Sequence, residues 1–122
     1  MSVEQRKALE TQTMALQALQ SELAKIVVNR QKLDSQLQEN ELVHKEFEHL
    51  NDDTRVYKMI GPVLVPQDKE EAKANVEKRL EYINDEITRA DQKVEQLSKE
   101  QEKASVELFK LQMDIQGINK NQ

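Results

Sequence analysis

Residues 55–65 read RVYKMIGPVLV, and the reading of this stretch decides the fold. It is the segment richest in β-branched and aromatic residues. Val56, Tyr57, Met59 and Ile60 precede Gly61-Pro62, and Val63, Leu64 and Val65 follow it. Two short apolar runs around a breaker pair predict two strands or a bent hairpin over residues 54–66. Gly-Pro is not among the usual two-residue hairpin dipeptides, so the turn geometry is left open. Outward from this segment the helix breakers vanish. Both prolines, Pro62 and Pro66, and Gly61 lie within it, and the other glycine is Gly117, near the C-terminus. Each flank is therefore free to form one continuous helix.

Both flanks carry a 3.5-residue apolar period. In the first, Leu9, Leu16, Leu23, Arg30, Leu37 and His44 alternate with Gln12, Leu19, Ile26, Leu33, Asn40 and Phe47, and most of these are apolar. The second is cleaner, running Val76, Leu80, Ile83, Ile87, Ala90, Val94, Leu97, Gln101, Ala104, Leu108, Leu111, Ile115 and Ile118. A heptad pattern sustained over more than four repeats predicts a coiled coil. Folding the chain near Ile60 pairs residues whose numbers sum to 120, so that Leu9 faces Leu111, Leu23 faces Leu97, Ile26 faces Val94, Leu33 faces Ile87 and Leu37 faces Ile83. Every layer then joins an a to a d position, as antiparallel pairing requires. Asp68 with Glu71 three residues on predicts a capped start for the second helix. Asp52 and Asp53 oppose the negative end of the first helix and predict its stop near Leu50. The expected chain is mainly α. It is a single domain over residues 1–122, with helices at about 4–50 and 68–118 forming a long antiparallel two-helix coiled-coil hairpin, and a short β-hairpin at the helix connection.

Composition excludes several classes of function. Charged residues make up 34% of the 122-residue chain and aromatics 3%, with no Trp, which suits a narrow apolar seam and not a thick globular core. The net charge of −5 comes with Lys and Arg dispersed among Asp and Glu, so no basic patch points to nucleic acid. The absence of Cys removes disulfides, thiolate metal sites and cysteine nucleophiles. No apolar run is long enough for a membrane span, and no signal-peptide core appears at the N-terminus, so the expected location is cytoplasmic. His44 and His49 lie among Glu41, Glu46 and Glu48, but the H-E-x-x-H spacing is missing, and solvated helix-surface residues are the favoured reading. Neither a catalytic triad nor a glycine-rich phosphate loop is present in the pattern, so no enzyme activity and no cofactor are expected. Asn40 and Gln101 occupy seam positions, where polar residues usually fix register.

The helical stretch RQKLDSQLQEN (residues 30–40), the segment VYKMIGPVLVPQDKEEAKANVEKRLEYINDEI (residues 56–87) and the pattern EA-x-A-x-V-x-K-RL-x-YI within it resemble the β-type prefoldin subunits over essentially the whole chain. A single hairpin segment, with no second apolar run, is similar to the β type and not the α type. The resemblance implies a heterohexamer of two α-type and four β-type subunits whose β-hairpins join, leaving the coiled coils as arms. It also implies ATP-independent capture of unfolded client proteins, such as actin and tubulin, and their delivery to the cytosolic chaperonin. A structural coiled-coil adaptor without client binding is the alternative.

Two groups of residues follow as candidates. Val56, Tyr57, Met59, Ile60, Val63, Leu64 and Val65 are too many apolar side chains for two helix ends to cover. Each is worth about 1.5–3 kcal/mol when fully buried, so pairing with other subunits is expected, and a locally folded loop capping its own coiled coil is the plain alternative. At the chain ends Val3, Leu9, Phe109, Met113, Ile115 and Ile118 cluster on antiparallel folding, with Met14 nearby. Beyond Leu9 the first helix offers mainly polar seam residues: Gln5 would face Ile115 and Ser2 would face Ile118. Under-covered apolar surface of this kind suits client holding, and fraying termini are the plain alternative.

Overall fold

A computed structural model describes residues 1–117. The element order is α1 (Val3–Glu48), β1 (Val56–Ile60), β2 (Val63–Gln67) and α2 (Lys69–Gln116). Two long helices are joined by a two-stranded antiparallel sheet, as the periodicity and the β-rich segment predict. The described chain divides into two compact units. One is Arg30–Arg89, and the other joins Met1–Asn29 to the chain from Ala90 onward.

In the Arg30–Arg89 unit, Leu33, Ala72, Val76 and Ile83 are buried, and Leu37, Asn40, His44, Phe47, Leu80 and Ile87 are half-buried. All but Ala72 are predicted seam positions, so the 3.5-residue period is what the helices bury. Contacts across the helices fix the direction of pairing. His44 Nε2 lies 3.1 Å from Glu77 Oε1, and Lys69 Nζ donates to the Asn51 carbonyl at 2.6 Å. Numbers rise on α1 while they fall toward the start of α2, so the pairing is antiparallel. Glu77 is the neighbour of Val76, the layer partner expected for His44.

In the other unit, Leu97 is the most deeply buried side chain, at 2% exposure, and Ala90 is also buried. Leu9, Leu16, Leu19, Leu23 and Ile26 on α1 are half-buried, as are Val94, Gln101, Ala104, Leu108 and Leu111 on α2. The seam positions read from the sequence again supply this set. Lys93 Nζ lies 3.9 Å from Glu22 Oε1 at the flank of the seam, an exposed pair of small energetic weight. Gln12, at a seam position, has its Oε1 buried without a hydrogen-bond partner among the described residues.

The ends of the elements add detail that the heptads do not contain. Ser2 and Gln5 form a reciprocal capping box at the start of α1: Ser2 N donates to Gln5 Oε1 at 2.9 Å, and Gln5 N donates to Ser2 Oγ at 3.0 Å. α1 stops at Glu48, and an Asx turn follows. The Asn51 side-chain oxygen accepts from Asp53 N at 3.1 Å and from Thr54 Oγ1 at 2.8 Å. The stop therefore has a local hydrogen-bonded cause in addition to the acidic pair Asp52–Asp53. Asp68 immediately precedes α2, and its carbonyl accepts from Ala72 N at 2.9 Å.

Candidate assembly surface and free helix ends

The hairpin is built on a two-residue turn. Register places Ile60 opposite Val63, Met59 opposite Leu64, Lys58 opposite Val65, Tyr57 opposite Pro66 and Val56 opposite Gln67. Gly61 has φ of 59°. A positive φ at the first central position is the requirement of a type II′ turn, whose second central residue takes a negative φ that proline supplies. Gly-Pro is thus a suitable turn here because of its order, glycine first. No neighbouring atom lies within 4 Å of a Cβ placed on Gly61, so the demand for glycine comes from backbone conformation alone.

Side chains alternate across the sheet. Tyr57, Met59, Leu64 and Pro66 share one face; Val56, Lys58, Ile60, Val63, Val65 and Gln67 share the other. Neither face is closed. Met59 is 66% exposed, Leu64 60%, Ile60 58% and Val63 56%, with Tyr57 and Val65 also exposed. Six of the seven residues expected to drive assembly are therefore displayed to solvent. Val56 differs. It is half-buried and shares a groove with Val43 and Phe47 of α1, so it anchors the sheet to its own helices. Ala72, which the heptad reading passes over, is buried beside the same groove. Its small side chain lets the base of the sheet approach α2.

The residues expected at the helix ends divide in a similar way. Val3 and Phe109 are exposed, whereas Leu9, Met113 and Ile115 are half-buried, and Ile118 lies outside the described residues. Met14 is exposed on α1. Val106, also exposed, stands one helical turn before Phe109 on α2. Reading only seam positions misses Val106, because it lies on the outer face; the i, i+3 spacing of Val106 and Phe109 is the signal that finds it. His44 sits 3.9 Å from Glu48 in addition to its contact with Glu77, and all three side chains are partly exposed along the helices. Among the described residues no group of three or more His, Asp or Glu side chains is placed to hold a metal ion. No described helix is long and apolar enough to cross a membrane.

Comparison with known proteins agrees with this architecture. The family model described as prefoldin subunit matches residues 4–115. Prefoldin subunit 6 of Saccharomyces cerevisiae is 50% identical over 95 residues, covering 78% of this chain and 83% of that protein. Prefoldin subunit 6 of Homo sapiens is 40% identical over 111 residues, covering 91% of this chain and 86% of that protein. The crystal structure of the prefoldin beta subunit from Thermococcus strain KS-1 superposes with a TM-score of 0.75 at 23% identity, covering 83% of this chain and 89% of the other, a likeness of fold. With nearly its whole length matched, two helices around one exposed hairpin, and relatives at 40–50% identity, this chain belongs to the prefoldin subunit family.

Proposed function

We propose that this chain is a β-type subunit of a heterohexamer of two α-type and four β-type prefoldin subunits. The hexamer captures unfolded polypeptides without ATP, actin and tubulin among them, and delivers them to the chaperonin in the cytoplasm. The observation that carries the reading is the hairpin, which displays Tyr57, Met59, Ile60, Val63, Leu64 and Val65 to solvent. An isolated two-stranded sheet is marginal in water, and an exposed apolar edge invites association, so a hairpin of this composition is suited to life inside an assembly. Membership in a family whose members are described as subunits supports the same reading. The helix ends add the client-holding part: Val3 and Phe109 are exposed, and Leu9, Met113 and Ile115 lie half-covered beside them. Ile118 belongs to the same proposed tip. Burial of exposed apolar groups is the attraction available to a holdase that uses neither nucleotide nor a formed pocket.

The test is reconstitution with α- and β-type partner subunits. The purified assembly is mixed with denatured actin diluted from denaturant, and aggregation is followed by light scattering. Suppression without nucleotide is the expected result. A coiled-coil adaptor without client binding gives none, and that outcome would overturn the reading.

A further inference from the structure

The groove at the base of the sheet, of about 280 Å³, is built within the Arg30–Arg89 unit from the hairpin and both helices. Phe47 of α1 and Val56 of β1 supply apolar wall. The polar part of the lining, which is the larger part, has one sign of charge. Lys58 of β1 and Arg79 of α2 line the groove beside the amides of Gln67 and Asn75, and no carboxylate does. The chain as a whole carries 23 Asp and Glu against 18 Lys and Arg, so a recess with two cations and no acid runs against its composition. Both cations are exposed, and among the described residues neither takes part in an ion pair. Like charges on the walls of one recess reinforce each other's field and attract an anion.

The lining defines the chemistry of an occupant. A carboxylate placed between Lys58 and Arg79 meets an ammonium and a guanidinium, the latter able to bind it with two parallel hydrogen bonds. The Gln67 and Asn75 side chains can donate to the carbonyls of an adjoining backbone. An apolar side chain next to the carboxylate covers Phe47 and Val56. The groove is smaller than the roughly 300–1,000 Å³ of a drug-sized ligand site, so it suits a few residues of a peptide. The hairpin of a second copy is a poor occupant, because its strands contain neither Asp nor Glu and would bring a further Lys58. We propose that this groove docks a short acidic peptide segment, mixing carboxylate and apolar side chains, of a protein outside the assembly. The site goes beyond the proposed function and uses none of the residues at the helix ends.

The test is fluorescence anisotropy of a labelled peptide of alternating Glu and Val, titrated with the full-length chain, so its outcome is separable from that of the hexamer reading. The acidic peptide is expected to bind about tenfold more tightly than its counterpart with Gln in place of Glu. Lys58→Gln and Arg79→Gln are each expected to weaken the acidic peptide about threefold and to leave the Gln peptide unchanged. Both side chains are exposed, so neither variant disturbs a buried contact. Lys78→Gln, an exposed position that does not line the groove, is the control for general charge and is expected to change nothing. Equal binding of the two peptides overturns the proposal, and so does a loss in the Lys78 variant as large as in the other two. The acidic peptide is then offered to the chain reconstituted with α- and β-type subunits, where the same affinity is expected. Binding to the chain alone that vanishes in the assembly would assign the groove to subunit packing, and would overturn the docking site.

Discussion

At the residue scale, Gly61 shows how one backbone angle sets the geometry of the hairpin. Its φ of 59° is one that glycine adopts freely, whereas an L side chain there costs on the order of 1–2 kcal/mol. Because a Cβ at Gly61 meets no atom within 4 Å, a Gly61→Ala substitution isolates this backbone cost from any steric one. Amide exchange at Val63, whose N–H closes the turn, is expected to accelerate roughly 5- to 30-fold in the variant; an unchanged rate would show that the turn adopts another geometry. The dipeptide alone does not reveal this turn to a reader of the sequence. Gly-Pro becomes a hairpin signal only when the type II′ requirement is applied to the order of the two residues. Asn51 is a similar case. Asn-Asp-Asp-Thr reads as an acidic helix stop, but the bonds from Asp53 and Thr54 to the Asn51 side chain make it an ordered Asx turn.

At the scale of elements, the helical seam was legible almost position by position, because burial of one stripe is a periodic property that the sequence must carry. Leu33, Val76, Ile83, Ala90 and Leu97, all predicted at the seam, are buried. The departures occur where periodicity ends. Ala72 is buried beside the sheet base while Lys73 continues the heptad, and Val56 turns inward while the rest of its segment stays exposed. Tertiary contact between sheet and helix decides both, and no local pattern encodes it. The antiparallel register is checked by cysteines introduced at positions 23 and 97, within one unit and one expected layer. A short bifunctional thiol reagent is expected to link them within a single chain, and linkage found only between chains would sink the register. The hairpin is checked by Leu64→Asp, which places a charge where the proposed interface is apolar, at a cost of several kcal/mol. Native mass spectrometry of the reconstituted complex is expected to show loss of the hexamer while helical circular dichroism is retained; an intact hexamer would remove the hairpin from the interface.

At the scale of the whole molecule, exposed apolar side chains include those of the hairpin between the helices and those near the helix ends, Val3 and Phe109 among them, besides positions such as Val28, Leu42 and Tyr82 along the helices. The proposed division of labour assigns assembly to the first and client capture to the second. Deleting residues 1–8 and 112–122 removes Val3, Met113, Ile115 and Ile118 but touches neither strand nor any buried residue of the Arg30–Arg89 unit. Phe109 would remain exposed in such a chain, so the trimmed form should also carry Phe109→Ser. The hexamer is expected to form as before, since each hairpin residue and the groove beside it are unchanged. Client capture is expected to weaken, because the removed groups belong to the proposed client-holding tip, where burial of apolar side chains would be the attraction. The measurement is light scattering from denatured actin diluted into hexamers that carry the full-length or the trimmed subunit, with several-fold more of the trimmed assembly needed for equal suppression. Other subunits have ends of their own that could compensate, so the comparison is repeated with those ends shortened in both assemblies. Equal suppression by the two assemblies in that background would move the client site away from the helix ends. Exposed apolar positions further along the outer faces, Val28 and Leu42 on α1 or Tyr82 on α2, would then be the next residues to replace.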